Sequence, residues 1–263
     1  MIPSGTMRLS HAGTSDVGRK RTHNEDAYLL LPEENLFCVA DGMGGHASGE
    51  VAARIAVEEM AEFFRMTGRD EDATWPYKLD PARAYDDNRL LTGVKLSNLR
   101  IYERAATDQR LRGMGTTLVA VSIPRGTRQA LIGHVGDSRA YLLRGGAIRQ
   151  VTEDHSLLND YRKTRALTPE EIEAFPHKNV IVRALGMKDT VEVDVAREDL
   201  QDGDVLLLCS DGLSGMVADA RMAEIVRGYP KDLRGAAQAL VDAANEAGGQ
   251  DNVTCVLVQA VAS

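Results

Sequence analysis

The chain has 263 residues, of which 43% are hydrophobic and 27% charged, and its formal net charge is −8. This composition is typical of a globular protein, and the acidic balance argues against a nucleic-acid-binding protein, which usually carries a basic face. It also disfavours binding to an anionic membrane surface. No stretch reaches the roughly 18 apolar residues of a membrane span, and the first residues lack a signal-peptide pattern. We therefore expect a cytoplasmic protein without membrane or nucleic-acid partners.

The three cysteines, Cys38, Cys209 and Cys255, lie far apart within apolar runs. An odd number of cysteines in such runs, with no C-x-x-C pair, predicts buried free thiols in a reducing compartment. A zinc site built on cysteine is therefore not expected.

Secondary-structure signals occur in alternating blocks along the chain. The first block contains predicted strands over 7–14, 27–31 and 36–40. Two helices follow, over about 48–65 and 88–106, because apolar residues recur there at helical spacing. The charged segment between them, over 67–87, holds two prolines and the only tryptophan. We expect that segment to be an exposed connection.

The second block is again rich in strands. Four short strands are predicted over 118–123, 129–135, 140–143 and 147–151. The tight turns between them predict antiparallel hairpins. The segment 154–185 lacks long apolar runs, as expected of a mobile surface insert, and a capping box starts a short helix at Thr168.

The last block completes a layered arrangement. Its elements are predicted as strands near 191–196 and 204–209, helices near 220–227 and 233–247, and a strand over 253–261. The order of strands, two helices, strands, two helices and strand favours an α+β sandwich over a doubly wound parallel sheet. There is no internal repeat or linker, so we expect residues 1–263 to form a single domain.

Aspartates recur where apolar strands meet glycine or polar turns. Asp41, Asp137 and Asp211 each follow a hydrophobic run, and Asp26 and Asp251 each precede one. If these carboxylates converged, they would repel one another unless cations compensated them. Oxygen-only ligation favours Mg²⁺ or Mn²⁺, and two such ions about 3.5–4 Å apart would activate a bridging water. The pattern is also compatible with five independent turn or cap residues, and nucleases use acidic two-metal sites too.

Other catalytic signatures are absent from the sequence. It contains no His-Glu-x-x-His, Gly-x-Ser-x-Gly or Walker motif. No cysteine is followed by arginine six positions later, as a phosphatase with a cysteine nucleophile would require. His134 lies inside a predicted strand and is interpreted as structural.

Six motifs occur in order over almost the whole chain, from about Met7 to Ala260. They are RTHNED at 21–26, VADGMGGH at 39–46, GMGTT at 113–117, GDSR at 136–139, CSDGL at 209–213 and GQDNVT at 249–254. Together they resemble the metal-dependent type 2C serine/threonine protein phosphatases, the PPM family, in their compact bacterial form. Each motif is weak alone, whereas six in order are specific.

The resemblance implies a four-layer α-β-β-α sandwich, in which two antiparallel sheets pack face to face and helix pairs flank them. It also implies two Mn²⁺ or Mg²⁺ ions as cofactors. Their carboxylate ligands would be Asp26, Asp41, Asp211 and Asp251. The segment 154–185 corresponds to a flap that lies beside the active site and tunes substrate access. A merely packed surface insert is the alternative for that segment.

Further roles follow from the same resemblance. The Gly42 carbonyl would be an additional metal ligand, and Glu25 would bind through metal-held water. Asp137, together with Asp211, would form a weaker third metal site. Arg21 would hold the phosphate oxygens, for which a planar guanidinium fork is suited.

The implied reaction is direct attack of a hydroxide, bridging the two ions, on a phosphoserine or phosphothreonine ester without a phosphoenzyme. The implied partners are phosphorylated proteins produced by a serine/threonine kinase, and the chain is expected to be a monomer. Met43 replaces a histidine thought to protonate the leaving alcohol in eukaryotic members, so the general acid is unassigned. The long stretch 67–88 is interpreted as a solvated loop, with a partner surface as the alternative.

Two other functions compete with this interpretation. A catalytically inactive phosphoprotein-binding module of the same fold would be expected to lose metal ligands or Arg21, yet all are present. A hydrolase of another phosphoester, such as nucleic acid, would need a basic stripe with aromatic residues, which the acidic chain lacks.

Overall fold

The computed structural model describes residues 7–44, 48–69, 75–165, 167–173, 175 and 180–262. Within these ranges, eleven strands form two sheets in which every pairing is antiparallel. Helices cover the outer faces of both sheets, so the predicted four-layer α+β sandwich is confirmed.

The first sheet has five strands and joins the two ends of the described chain. Its strands are β1 (Arg8–Asp16), β7 (Arg139–Arg144), β8 (Ala147–Gln150), β10 (Val205–Cys209) and β11 (Val253–Val261). Their spatial order is β1-β11-β10-β7-β8. The first and last strands of the chain are therefore neighbours.

The second sheet has six strands. They are β2 (Asp26–Leu31), β3 (Leu36–Met43), β4 (Gly115–Thr116), β5 (Leu118–Ser122), β6 (Gln129–Val135) and β9 (Asp194–Asp199). Their order is β2-β3-β5-β6-β9, and the two-residue β4 pairs with the end of β3. This pairing extends β3 beyond the predicted 36–40, so Asp41 lies inside the strand and not after it.

The helices divide between the two outer layers and the insert 154–185. They are α1 (Ser48–Arg69), α2 (Tyr85–Thr107), α3 (Leu157–Thr164), α4 (Pro169–Glu173), α5 (Asp211–Ser214), α6 (Asp219–Gly228) and α7 (Leu233–Glu246). α1 and α2 pack on the six-stranded sheet, whereas α6 and α7 pack on the five-stranded one. None of these helices has both the length and the apolar character of a membrane span.

Strand β3 shows why the core strands are continuous apolar runs. Leu36, Cys38 and Ala40 face the α1/α2 layer, while Phe37 and Val39 enter the core between the two sheets. Alternate residues of a strand point to opposite faces, and here both faces are covered. All three cysteines are buried and free, as predicted.

Several element boundaries differ from the predictions. α1 extends to Arg69 and α2 begins at Tyr85, so the connection predicted over 67–87 is shorter. Trp75 in this connection packs edge-on against Phe63 and Tyr85, with ring centroids 5.3 and 5.2 Å apart. Residues 70–74 lie outside the described ranges. The strand predicted near 191–196 is β9 at Asp194–Asp199, and the four-residue α5 was not predicted.

Candidate active site

Two aspartates face each other where β2 and β3 pair. The antiparallel register sets Asp26 opposite Asp41. Side chains of directly opposed residues lie about 4.5–5.5 Å apart at Cβ, and like charges in such positions destabilise a sheet. The arrangement therefore needs compensation from outside the two strands.

The GMGTT motif holds the backbone of Asp41. The Asp41 N–H donates to Thr117 Oγ1 at 3.0 Å, and the Thr117 N–H donates to the Asp41 carbonyl at 2.8 Å. The Thr116 hydroxyl donates to the same carbonyl at 2.9 Å. Thr117 Oγ1 also lies 2.7 Å from Ser138 Oγ, beside Asp137. Thr116 and Thr117 thus form a clamp that connects Asp41 to the Asp137 turn. The sequence analysis predicted no role for these two threonines.

Two polar residues connect the opposite sheet to the segment before β2. Asn252 Oδ1 accepts from the Glu25 N–H at 2.8 Å, and its amide nitrogen donates to the His23 carbonyl at 2.9 Å. The Ser210 hydroxyl donates to Asp26 Oδ2 at 2.8 Å. Ser210 and Asn252 stand beside Asp211 and Asp251 in the sequence. The two sheets therefore meet at this site through hydrogen bonds that sequence reasoning did not identify.

The glycines that follow two of the aspartates are required by close backbone contacts. A Cβ at Gly42 would lie 2.1 Å from the Gly49 carbonyl oxygen and 2.5 Å from that of Glu25. A Cβ at Gly212 would lie 1.9 Å from the Asn252 carbonyl oxygen. The repeated Asp-Gly pair thus marks places where a strand end meets another backbone, not ordinary turns.

Arg21 lies at the exposed side of the cluster. Its Nη2 donates to Asp251 Oδ2 at 2.7 Å, and its side chain is 48% exposed. The hydrogen bond to Asp251 and the negative charges of Glu25 and Asp41 raise the pKa of the Arg21 guanidinium. Arg21 is therefore a fixed positive charge beside the carboxylates.

The carboxylates are close enough to perturb one another strongly. Burial raises the pKa of Asp41 well above its ordinary value, and the charges of four other aspartates raise it further, those of Asp26, Asp211, Asp137 and Asp251. Burial, followed by the charges of neighbouring aspartates, raises the pKa of Asp26 and of Asp137 to about 7. The pKa of Asp211 is raised by burial and by the charge of Asp251. The five aspartates predicted from the sequence thus form one electrostatic cluster.

Three oxygens of this site fit divalent cations. Among the described residues, Glu25 Oε1, Asp26 Oδ1 and Asp137 Oδ1 are buried without a hydrogen-bond partner. An unpaired buried oxygen of this kind is destabilising and calls for a ligand. The donors at the cluster are oxygens, as Mg²⁺ and Mn²⁺ prefer. The residues present therefore fit the metal ions that the sequence implied.

The insert 154–185 is attached beside the same cluster. Its two stems pair at Ser156 and Ile181, and the Leu157 N–H donates to the Val180 carbonyl at 2.9 Å. Leu185 then pairs with Thr116 of the Asp41 clamp. Arg139 binds Asp154 at the base of the insert, with Nη2 2.7 Å from Oδ2. The described part of the insert thus borders the carboxylates.

Gly45 and His46 of the second motif lie outside the described residues.

Residues 12–257 match the family model described as "Protein phosphatase 2C". The chain belongs to the protein phosphatase 2C family. It is 38% identical over 252 residues to the serine/threonine phosphatase stp of Listeria innocua, covering 93% of both chains. These findings confirm the predicted family and the predicted class of phosphatase enzyme.

Solved structures agree with this assignment. The Mycobacterium tuberculosis serine/threonine phosphatase PstP/Ppp superposes with a TM-score of 0.81 at 33% identity, covering 97% of this chain and 99% of that one. The catalytic domain of PstP in complex with two manganese ions gives a TM-score of 0.80, also at 33% identity, and covers 98% of this chain and 100% of that one. The fold of this chain is thus that of a bacterial protein phosphatase 2C.

Proposed function

We propose that this protein hydrolyses phosphoserine and phosphothreonine in proteins, using divalent cations held by its aspartate cluster. One observation carries the proposal: five aspartates converge, and three buried carboxylate oxygens at the cluster lack partners while Arg21 stands exposed beside them. The relatives named as serine/threonine phosphatases and the manganese-bound PstP domain support it.

We propose the same metal-holding residues that the sequence resemblance implies. Two Mn²⁺ or Mg²⁺ ions would be held by Asp26, Asp41, Asp211 and Asp251. The Gly42 carbonyl would be a further ligand, Glu25 would act through water, and Asp137 with Asp211 would hold a weaker third ion. When bound, the two ions would supply a hydroxide nucleophile at neutral pH and would neutralise charge on the phosphoryl group.

Arg21 would bind the phosphate of the substrate. A guanidinium has five N–H donors, so the bond from Nη2 to Asp251 leaves donors for phosphate oxygens. The same bond restricts the orientation of the guanidinium before substrate arrives. Arg21 therefore adds phosphate affinity and positions the ester.

The neighbouring polar residues would keep the carboxylates in place during turnover. Thr116 and Thr117 fix the Asp41 backbone, Ser210 fixes one Asp26 oxygen, and Asn252 fixes Glu25. A site held in this way loses little free energy to rearrangement when charge moves. Met43 has no proton to donate, and we propose that water protonates the leaving alcohol.

We further propose that residues 1–263 act as a single catalytic domain and as a monomer, on proteins phosphorylated by a serine/threonine kinase. The acidic composition and the buried free thiols support a cytoplasmic setting. The attachment of 154–185 beside the cluster supports its role as a flap that limits access to the site.

The test is hydrolysis of a phosphothreonine peptide with Mn²⁺, with Mg²⁺ and with EDTA, beside a phosphotyrosine peptide and a DNA substrate. We expect metal-dependent release of phosphate from the phosphothreonine peptide that EDTA abolishes. A folded protein that binds Mn²⁺ and turns over no substrate would favour the inactive binding module. Faster cleavage of DNA than of the peptide would favour a nuclease.

A further inference from the structure

His155, at the base of the flap, forms a reciprocal pair of hydrogen bonds with Gly136. The His155 N–H donates to the Gly136 carbonyl at 2.9 Å, and the Gly136 N–H donates to His155 Nδ1 at 3.0 Å. His155 is only 4% exposed. Gly136 directly precedes Asp137, so this pair joins the flap to the backbone of the Asp137 turn.

The turn itself has little freedom on its other side. Gly136 has a φ of +106°, which strongly favours glycine. A Cβ there would lie 2.6 Å from Thr117 Cγ2, within the clamp that holds Asp41. The Gly136 backbone is thus enclosed between Thr117 and His155. Removing the acceptor at His155 would leave a buried N–H without a partner.

The opposite edge of the His155 ring is oriented by a carboxylate. Because Nδ1 accepts a hydrogen bond, the neutral ring carries its proton on Nε2. Asp194 Oδ2 lies 3.3 Å from that nitrogen, and Asp194 Oδ1 accepts from Arg183 Nη1 at 2.6 Å. Arg183 Nη1 also lies 3.1 Å from Nε2, but both are donors, so Asp194 is the partner of each. Asp194 thus fixes the tautomer and the orientation of the His155 ring.

His134 covers the face of the His155 ring. The two rings stack with centroids 4.7 Å apart and an interplanar angle of 16°. His134 donates from Nε2 to the Glu153 carbonyl at 2.8 Å. Burial lowers the pKa of His155, which keeps Nδ1 free to accept.

His134, His155 and Asp194 do not form a cation site of their own. Ligand atoms of His134, His155 and Asp194 lie within 4.8 Å of one another. However, the two rings are nearly parallel, so their nitrogen lone pairs point in similar directions and do not converge on one ion. His155 Nδ1 already accepts the Gly136 N–H, and Arg183 neutralises the charge of Asp194. The cluster therefore acts through hydrogen bonds.

We propose that His155 is a positioning residue that sets the Gly136–Asp137 turn and ties its geometry to the flap. The proposal rests on the proposed function, in which Asp137 helps to hold the third, weaker metal ion. Loss of the Nδ1 acceptor would let the turn shift. The shift would weaken binding of that ion and slow the chemical step. Substrate binding through Arg21 would be little affected.

The decisive comparison is between His155→Asn and His155→Gln. The side-chain oxygen of asparagine can take the place of Nδ1, whereas glutamine carries its polar atoms near the position of Nε2. We expect His155→Asn to retain near-wild-type behaviour. We expect His155→Gln to weaken the weakest Mn²⁺ binding step in calorimetry about tenfold, and to lower kcat about tenfold with less than a twofold change in KM.

Two further variants complete the experiment. Asp137→Asn tests whether the third ion depends on Asp137 at all, and Asp194→Ala disturbs His155 from its exposed side if the buried substitutions fail to fold. Asp194→Ala is expected to weaken the same Mn²⁺ step with thermal unfolding close to wild type. Wild-type Mn²⁺ binding in both His155→Gln and Asp194→Ala, with weakened binding in Asp137→Asn, would overturn the positioning role alone. Wild-type binding in Asp137→Asn would instead overturn the assignment of a third ion to Asp137, and no peptide hydrolysis by the wild-type protein would overturn the proposed function.

Discussion

Asp26 and Asp41 occupy directly opposed positions on neighbouring strands. Both side chains are partly buried, and desolvation is the largest cause of the raised pKa of each. The protein thus places two acids where sheet stability alone would favour neutral or oppositely charged residues. Such a local conflict is typical of a functional site.

We expect the metal-stripped protein to lose stability as the pH rises from 5 to 8. The pKa of Asp26 rises from 3.8 unfolded to about 7 folded, so the folded state binds more protons across this window. The stability that protonated Asp26 contributes is fully present below pH 3.8 and is lost as the pH rises through about 7. Deprotonation of Asp26 by pH 8 thus destabilises the folded state by on the order of 4 kcal/mol. Thermal unfolding in EDTA across this range is the measurement. Asp26→Asn should reduce the pH dependence, part of which would remain because the pKa values of Asp41, Asp137 and Asp211 are also raised. An equal slope in both proteins would contradict the assignment.

Removal of one proposed ligand should abolish turnover without unfolding the protein. Asp211→Ala and Asp41→Ala are each expected to reduce hydrolysis of a phosphothreonine peptide at least about a hundredfold, since even supporting residues contribute 10–100-fold. The variants should also lose the rise in thermal unfolding temperature that Mn²⁺ gives the wild type. Near-wild-type kinetics at limiting Mn²⁺ would disprove the ligand assignment.

Arg21→Ala should raise KM more than it lowers kcat. A charge-assisted hydrogen bond contributes about 1.5–3 kcal/mol, which corresponds to roughly a 10- to 100-fold increase in KM for the peptide. Arg19→Ala is the matched control, because Arg19 is similarly exposed and pairs only loosely with Asp16, at 3.9 Å. Equal effects of the two substitutions would indicate a general loss of positive charge and no specific phosphate contact.

Thr117→Val should destabilise the protein and reduce its activity. Valine preserves the shape of Thr117 but leaves the Asp41 N–H without its acceptor at 3.0 Å. The expected loss is about 1–3 kcal/mol in the free energy of unfolding, measured by urea denaturation. Thr117→Ser, which keeps the hydroxyl, should restore most of both properties. If serine were no better than valine, packing of the methyl group would be the cause instead.

The layered fold was predictable because long apolar runs fill cores on both faces of the central strands. The predicted boundaries of strands and helices were wrong where tertiary contacts, and not local sequence patterns, determine them. β4 has two residues and α5 has four, too few for any periodicity to be visible. Because β4 is invisible in the sequence, the extension of β3 through Asp41 was not predicted.

The carboxylates of the candidate site were predictable, since each aspartate stands next to an apolar run or a glycine. The polar residues that hold these carboxylates in place were not predictable. The bond from the Glu25 N–H to Asn252 joins residues 227 positions apart, and the bond from Ser210 to Asp26 joins residues 184 positions apart. No local pattern encodes such contacts. Tertiary structure alone reveals that the hydroxyl and amide neighbours of the aspartates orient them.

The pairing of β1 with β11 also has a consequence for synthesis on the ribosome. Ser15 hydrogen-bonds Thr254 across 239 positions, and Arg21 reaches Asp251 across 230. The cluster of acids therefore cannot close until the last strand has left the exit tunnel, and contacts between such distant residues form slowly. A nascent chain that ends before Asp251 would lack one of the five clustered aspartates and the strand that pairs with β1, so we expect it to be catalytically inactive.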